Sequence, residues 1–81
     1  MTPLYGFLEG DTIGLLILAR EDDTLAELGR KLQNSASVRV APVARFKIVH
    51  HGRTLDPRAT VRQVGMRALD RFDVLEEEEV R

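Results

Sequence analysis

Two adjacent histidines, His50 and His51, are the only imidazoles in this chain of 81 residues. Imidazole is the side chain best suited to hold a transition metal or to move a proton near neutral pH. On an extended strand, neighbouring side chains point to opposite faces, so the pair is expected to diverge rather than chelate one ion as an i, i+2 pair would. Asp56 is the only acid within five residues, and the expectation is an exposed strand-end pair at a turn. Ser35 and Ser37, the sole serines, sit outside any strand–turn–helix elbow that would present a nucleophile. No cysteine is present, which removes disulfides, thiolate metal sites and cysteine nucleophiles together. The six glycines stand singly, so no phosphate cradle forms. Carboxylates used as acid and base need burial to separate their pKa values. The acids here fall at a helix start, at turns and in the run Glu76–Glu79, all wet places. No catalytic, cofactor-binding or metal-ligating set is expected, and in so small a chain function is carried on the surface.

What remains is charge. The formal net charge is −1, but it divides into −5 over residues 1–28, +8 over 29–72 and −4 over 73–81. The central block could grip phosphates, yet the acidic blocks belong to the same small body and no aromatic interleaves the bases as a stacking platform. Nucleic acid is therefore not an expected partner. Arginine outnumbers lysine eight to two in this block, which suits bidentate pairing with carboxylates of a protein. Arg39, Arg45, Lys47, Arg53, Arg58 and Arg62 are the candidate docking residues. The longest apolar run, Leu15–Ala19, is far short of the roughly 20 residues that span a bilayer. With no basic start of a signal peptide at Met1-Thr2-Pro3, a cytoplasmic location without membrane contact is expected.

These residues must be held by a small number of elements. Leu4–Leu8 alternates as a strand, and Gly10 suits a two-residue type II′ turn at Glu9-Gly10-Asp11-Thr12. Thr12–Ala19 then places Ile13, Leu15, Ile17 and Ala19 on one face, with Leu16 and Leu18 on the other. Thr24 and Glu27 form a capping box for a helix whose stripe is Leu25, Leu28 and Leu32, with a stop expected at Asn34-Ser35. Gly29 would let that helix approach the sheet closely. Pro42 makes residues 36–44 a connection, because proline cannot donate to a ladder. Arg45–His50 alternates with Phe46 and Ile48 inward, and Leu55 adds a short strand. Thr60 caps one helical turn carrying Val61 and Val64, with Gly65 as its left-handed stop. Arg71–Glu77 is the last strand, Phe72 and Val74 facing the core. That order predicts one α+β domain over residues 1–81, a ubiquitin-like β-grasp with a mixed four- to five-stranded sheet. Residues 77–81 are expected to be a frayed acidic tail.

The chain closes on Glu-Glu-Glu-Glu-Val-Arg, whereas ubiquitin-type modifiers and sulfur carriers end in Gly-Gly, so conjugation and sulfur transfer are not expected. From first strand to last, over roughly residues 3–79, it resembles instead the small ubiquitin-like B or γ subunit of toluene-monooxygenase-type diiron hydroxylases. The matching pieces are Asp23-Thr24 with Lys31, Arg39-Val40-Ala41-Pro42, and above all Leu55-Asp56-Pro57-Arg58-Ala59-Thr60-Val61 followed by Gly65-Met66. Asp73-Val74 and the trailing acids complete the match. The resemblance implies a non-catalytic subunit of a bacterial multicomponent monooxygenase acting on aromatics or alkenes. Its implied partners are the large and medium hydroxylase subunits. The diiron centre would lie in the large subunit, with no cofactor or small-molecule substrate bound by this chain. A free-standing ubiquitin-like adaptor, such as those accompanying secretion systems, is the alternative reading.

Overall fold

Alternating apolar residues near the N-terminus build a hairpin of β1 (Thr2–Leu8) and β2 (Leu15–Ala19). In its register Tyr5 lies opposite Leu16 and Pro3 opposite Leu18. The computed structural model describes residues 1–77. The helix α1 (Leu25–Ala36) follows the hairpin, then β3 (Phe46–His50), β4 (Arg53–Leu55), the single turn α2 (Val61–Val64) and β5 (Arg71–Glu76). The strands form one mixed sheet in the order β2-β1-β5-β3-β4. β5 inserts between β1, to which it is parallel, and β3, to which it is antiparallel. This is the α+β β-grasp arrangement that the element order predicts.

The core lies between one sheet face and α1. Leu4, Ile17, Ile48, Phe72 and Val74 from the strands meet Leu25, Leu28, Leu32 and Ala36 from the helix, all of them buried. Gly29 faces the Phe46 ring so closely that a Cβ would overlap it. The missing side chain thus sets how near the helix comes to β3, which offsets the roughly 1 kcal/mol that glycine costs within a helix.

Three local expectations are corrected. The hairpin connection spans residues 9–14 rather than two residues, and its turn is not type II′. The Asp11 N–H donates to the Leu8 carbonyl at 2.9 Å, and Gly10 carries φ +88° at the second central position, not the first. The cause is Asp11, whose carboxylate accepts the Ile13 N–H at 3.3 Å and the Arg39 guanidinium at 2.8 Å. This stretch therefore bonds locally instead of extending the ladder. Second, α1 continues past Asn34-Ser35 to Ala36, where the Ser37 hydroxyl donates to the Asn34 carbonyl at 2.9 Å. Third, Glu77 donates its N–H to the Arg45 carbonyl at 3.1 Å, so it is tied rather than frayed. The rest of the acidic tail lies outside the described residues. Among those residues no helix is long and apolar enough to cross a membrane.

Candidate functional site

The structure distributes the six candidate docking bases over separate parts of the surface. Arg39, in the loop after α1, binds Asp11 at the hairpin tip. Its guanidinium holds the Asp11 carboxyl below the usual carboxylate range. Arg62 on α2 reaches Glu21, beyond the opposite end of β2, at 3.0 Å. Arg58 turns back on Asp56 at 3.5 Å. Arg45, Lys47 and Arg53 make no ion pair among the described residues. Lys47 stands on the outer sheet face opposite Leu75, whereas Arg53 is cross-strand from His50 on the inner rim. Half of the predicted set is therefore already neutralised by the chain's own acids.

The segment 55–65 serves the start of α1. The first N–H groups of a helix have no partner within it. Here the Leu25 N–H donates to the Ala59 carbonyl at 2.9 Å, and the Ala26 N–H to the Pro57 carbonyl at 3.0 Å. The Glu27 N–H goes to the Thr24 hydroxyl at 3.2 Å, completing the expected capping box. In return the Val61 and Arg62 N–H groups donate to the carbonyls of Asp23 and Glu21. Thr60 forms a second capping box with Gln63, and Gly65 ends α2 at φ +78°. Asp23 is buried beneath this corner. Lys31 Nζ sits 2.7 Å from its carboxylate and the Arg20 N–H donates to it at 2.9 Å. Burial pushes the Asp23 carboxyl up, but these two donors outweigh it and hold it below the usual range.

The outer face of the hairpin is of another kind. Tyr5, Leu16 and Leu18 are 43, 55 and 53% exposed and lie side by side on the face away from α1. Leu69 is also exposed, in a loop anchored where its N–H donates to the Pro3 carbonyl at 2.6 Å. Further along the same face, Arg71 lies 3.9 Å over the Phe7 ring and pairs with Asp73 at 2.9 Å. The signal for this patch was present in the alternation of β2, because apolar residues on both faces of a strand in a two-layer domain must leave one set outside.

The histidines depart most from expectation. His50 faces inward and is only 7% exposed, and its Nε2 lies 3.3 Å from Asp70 Oδ2. His51 has φ +51°, a left-handed conformation that folds its ring back onto His50. The ring centroids are 3.9 Å apart with the planes at 20°. The expected divergence assumed extended backbone through both residues. The second acid arrives from twenty residues away in sequence, where no local reading would find it. The Arg67 N–H donates to Asp70 at 2.9 Å and is the main reason that its carboxyl lies below the ordinary value, with burial opposing and His50 adding to the effect.

Comparison with known proteins gives these surfaces a context. The family described as Toluene-4-monooxygenase system protein B (TmoB) matches residues 1–75. No curated protein sequence matches. Among solved structures, a chain of a toluene 4-monooxygenase HD complex with the inhibitor 4-bromobenzoate is similar with a TM-score of 0.86 and 20% identity. That match covers 94% of this chain and 98% of the other. Ubiquitin from Caldiarchaeum subterraneum is similar with a TM-score of 0.78 and 15% identity, covering 99% and 98%. A structure of ATBAG1 in complex with HSP70 gives 0.78 and 13%, covering 95% of this chain and 41% of that one. At such identities the structural likeness speaks for the ubiquitin-like fold.

Proposed function

The chain belongs to the toluene-4-monooxygenase system protein B (TmoB) family, and from that premise we propose that it is a non-catalytic accessory subunit of a multicomponent monooxygenase. The observation that carries this reading is the extent of the family match, residues 1–75. It reaches from β1 into β5, short only of Glu76, so the whole domain and not one motif is what relatives share. On this reading iron and oxygen chemistry belong to a large diiron subunit, which this chain buttresses from outside together with a medium subunit.

The outer hairpin face is the surface best suited to that contact. Protein interfaces place an apolar, often aromatic, centre inside a polar rim. Tyr5, Leu16 and Leu18 supply the centre, and Lys47 and Arg45 supply cations that make no ion pair among the described residues. Arg39, Arg58 and Arg62 would first have to release Asp11, Asp56 and Glu21. Co-expression with large and medium hydroxylase subunits tests the proposal. A stoichiometric complex that survives gel filtration is expected, together with its loss on Leu16→Asp. A chain that elutes alone beside assembled partners would overturn it.

A further inference from the structure

The turn after β3 and the loop after α2 bring three potential ligands to one corner. One ligand atom from each of His50, His51 and Asp70 lies within 4.8 Å of the others. We propose that His50, His51 and Asp70 form a binding site for a divalent transition-metal ion, which would staple the β3–β4 turn to the α2–β5 loop. The site is independent of the monooxygenase reading.

The first argument is a distance. His50 Nε2 and Asp70 Oδ2 are 3.3 Å apart, long for an ionised hydrogen bond, which runs at about 2.7–2.9 Å. Two donors each about 2.0–2.1 Å from a tetrahedral zinc stand about 3.3–3.4 Å apart. The pair is therefore already spaced as ligands, and the ion would take the place of the loose contact between them. The second argument is orientation. Metal-ligating groups are usually held by a further shell of hydrogen bonds, and the Arg67 N–H provides one by fixing Asp70 at 2.9 Å. His50 is fixed by burial at the end of β3.

The third argument is backbone cost. Non-glycine residues seldom adopt positive φ, and such strain gathers at functional sites. Among the described residues only His51 (φ +51°) and Leu69 (φ +68°) do so. One is a proposed ligand and the other immediately precedes Asp70. The left-handed turn at His51 is what carries its imidazole to the same side as His50.

Two nitrogens and one carboxylate oxygen form a donor set that suits zinc, copper or nickel better than calcium or magnesium. Closing the site requires His51, the exposed member, to tilt out of its stack so that its lone pair converges with that of His50. Its exposure leaves that motion unobstructed and leaves the fourth position open to water. Arg53, cross-strand from His50, opposes a cation, while the Asp70 charge favours it. The expected affinity is accordingly micromolar rather than that of a closed structural zinc site.

The test uses tag-free full chain stripped with EDTA and titrated with zinc chloride by calorimetry, with copper(II) electron paramagnetic resonance as a second readout. One zinc per chain is expected, with a rise in Tm at saturation. In copper-loaded protein the spectrum should show two nitrogen ligands, and His51→Ala should show one. His51→Ala should weaken zinc binding at least about tenfold, by analogy with the loss seen when ligand-supporting residues are removed. Its metal-free Tm should stay within a few degrees of the parent's, since His51 is exposed and only its stack on His50 is lost; this guards against misfolding as the explanation. Absence of saturable one-to-one binding at submillimolar zinc, or His51→Ala binding as tightly as the parent chain, would overturn the site.

Discussion

The corner where α1 begins and the outer face of the β1–β2 hairpin handle exposed groups in opposite ways. At the corner, Ala59, Pro57 and Thr24 accept, in turn, the N–H groups of Leu25, Ala26 and Glu27, and a buried carboxylate is matched by Lys31 and a backbone donor. Two capping boxes face each other across the bridge between Thr24 and Thr60. On the hairpin face, three large apolar side chains stand in solvent. The difference separates two meanings of a family resemblance. The segment 55–65 that carries the densest match is explained by its work inside the chain, since it caps a helix. The apolar patch is not explained by anything among the described residues, and it is the place to look for a partner.

Substitutions can sharpen that contrast, and the largest effect is expected at the corner. Leu25→Ala removes a fully buried side chain from the first turn of α1. It should cost about 2–5 kcal/mol in urea unfolding, with assembly impaired only through stability. Asp23→Asn, which leaves Lys31 without its carboxylate, should cost about 1–3 kcal/mol by the same measurement. This variant also carries a pH signature. A carboxyl whose pKa is depressed in the folded state stabilises fully above its unfolded value of about 3.9, and that contribution disappears as pH falls through the folded value. Parent and Asp23→Asn unfolding midpoints should therefore converge as pH drops from neutrality to below 4.

Thr24→Ala, which breaks the first capping box, should cost about 0.5–2 kcal/mol. The smallest stability effect is expected on the hairpin face. Leu16→Ser and Leu18→Ser should move the free chain by no more than about 0.5 kcal/mol while weakening assembly at least tenfold by gel filtration or calorimetry. Lys47→Glu should weaken assembly in proportion to falling salt, whereas Arg62→Glu, whose parent residue already faces Glu21, should act mainly on the α2 corner. Equal loss of assembly from the corner and face variants, at equal stability, would erase the distinction between the two regions.

Much of this fold is legible in the sequence because its signals are local. Period-two alternation marks β1, β2, β3 and β5. The Leu25, Leu28, Leu32 stripe marks α1, and Thr24 with Glu27 marks its start. Gly65 at φ +78° ends α2 as expected. The Gly29 approach was also readable, since a glycine inside a helix calls for a close neighbour. The candidate sites were less legible. The bases could be counted in the sequence, but which of them already hold an acid depends on residues up to 41 positions away, as with Arg62 and Glu21.

Residue order alone thus determined which elements form, where the helices start and the face each strand buries, because hydrophobic periodicity and side-chain-to-backbone bonding act over a few residues. Only the tertiary structure decided how those elements complete one another. It brought the Pro57 and Ala59 carbonyls to the orphan N–H groups of α1 and set Asp70 beside His50. It also turned His51 into the left-handed region, undoing the divergence that an extended strand would impose. Coulomb attraction and hydrogen bonding depend on distance in space, and for these groups that distance is set by the packing of α1 against the sheet.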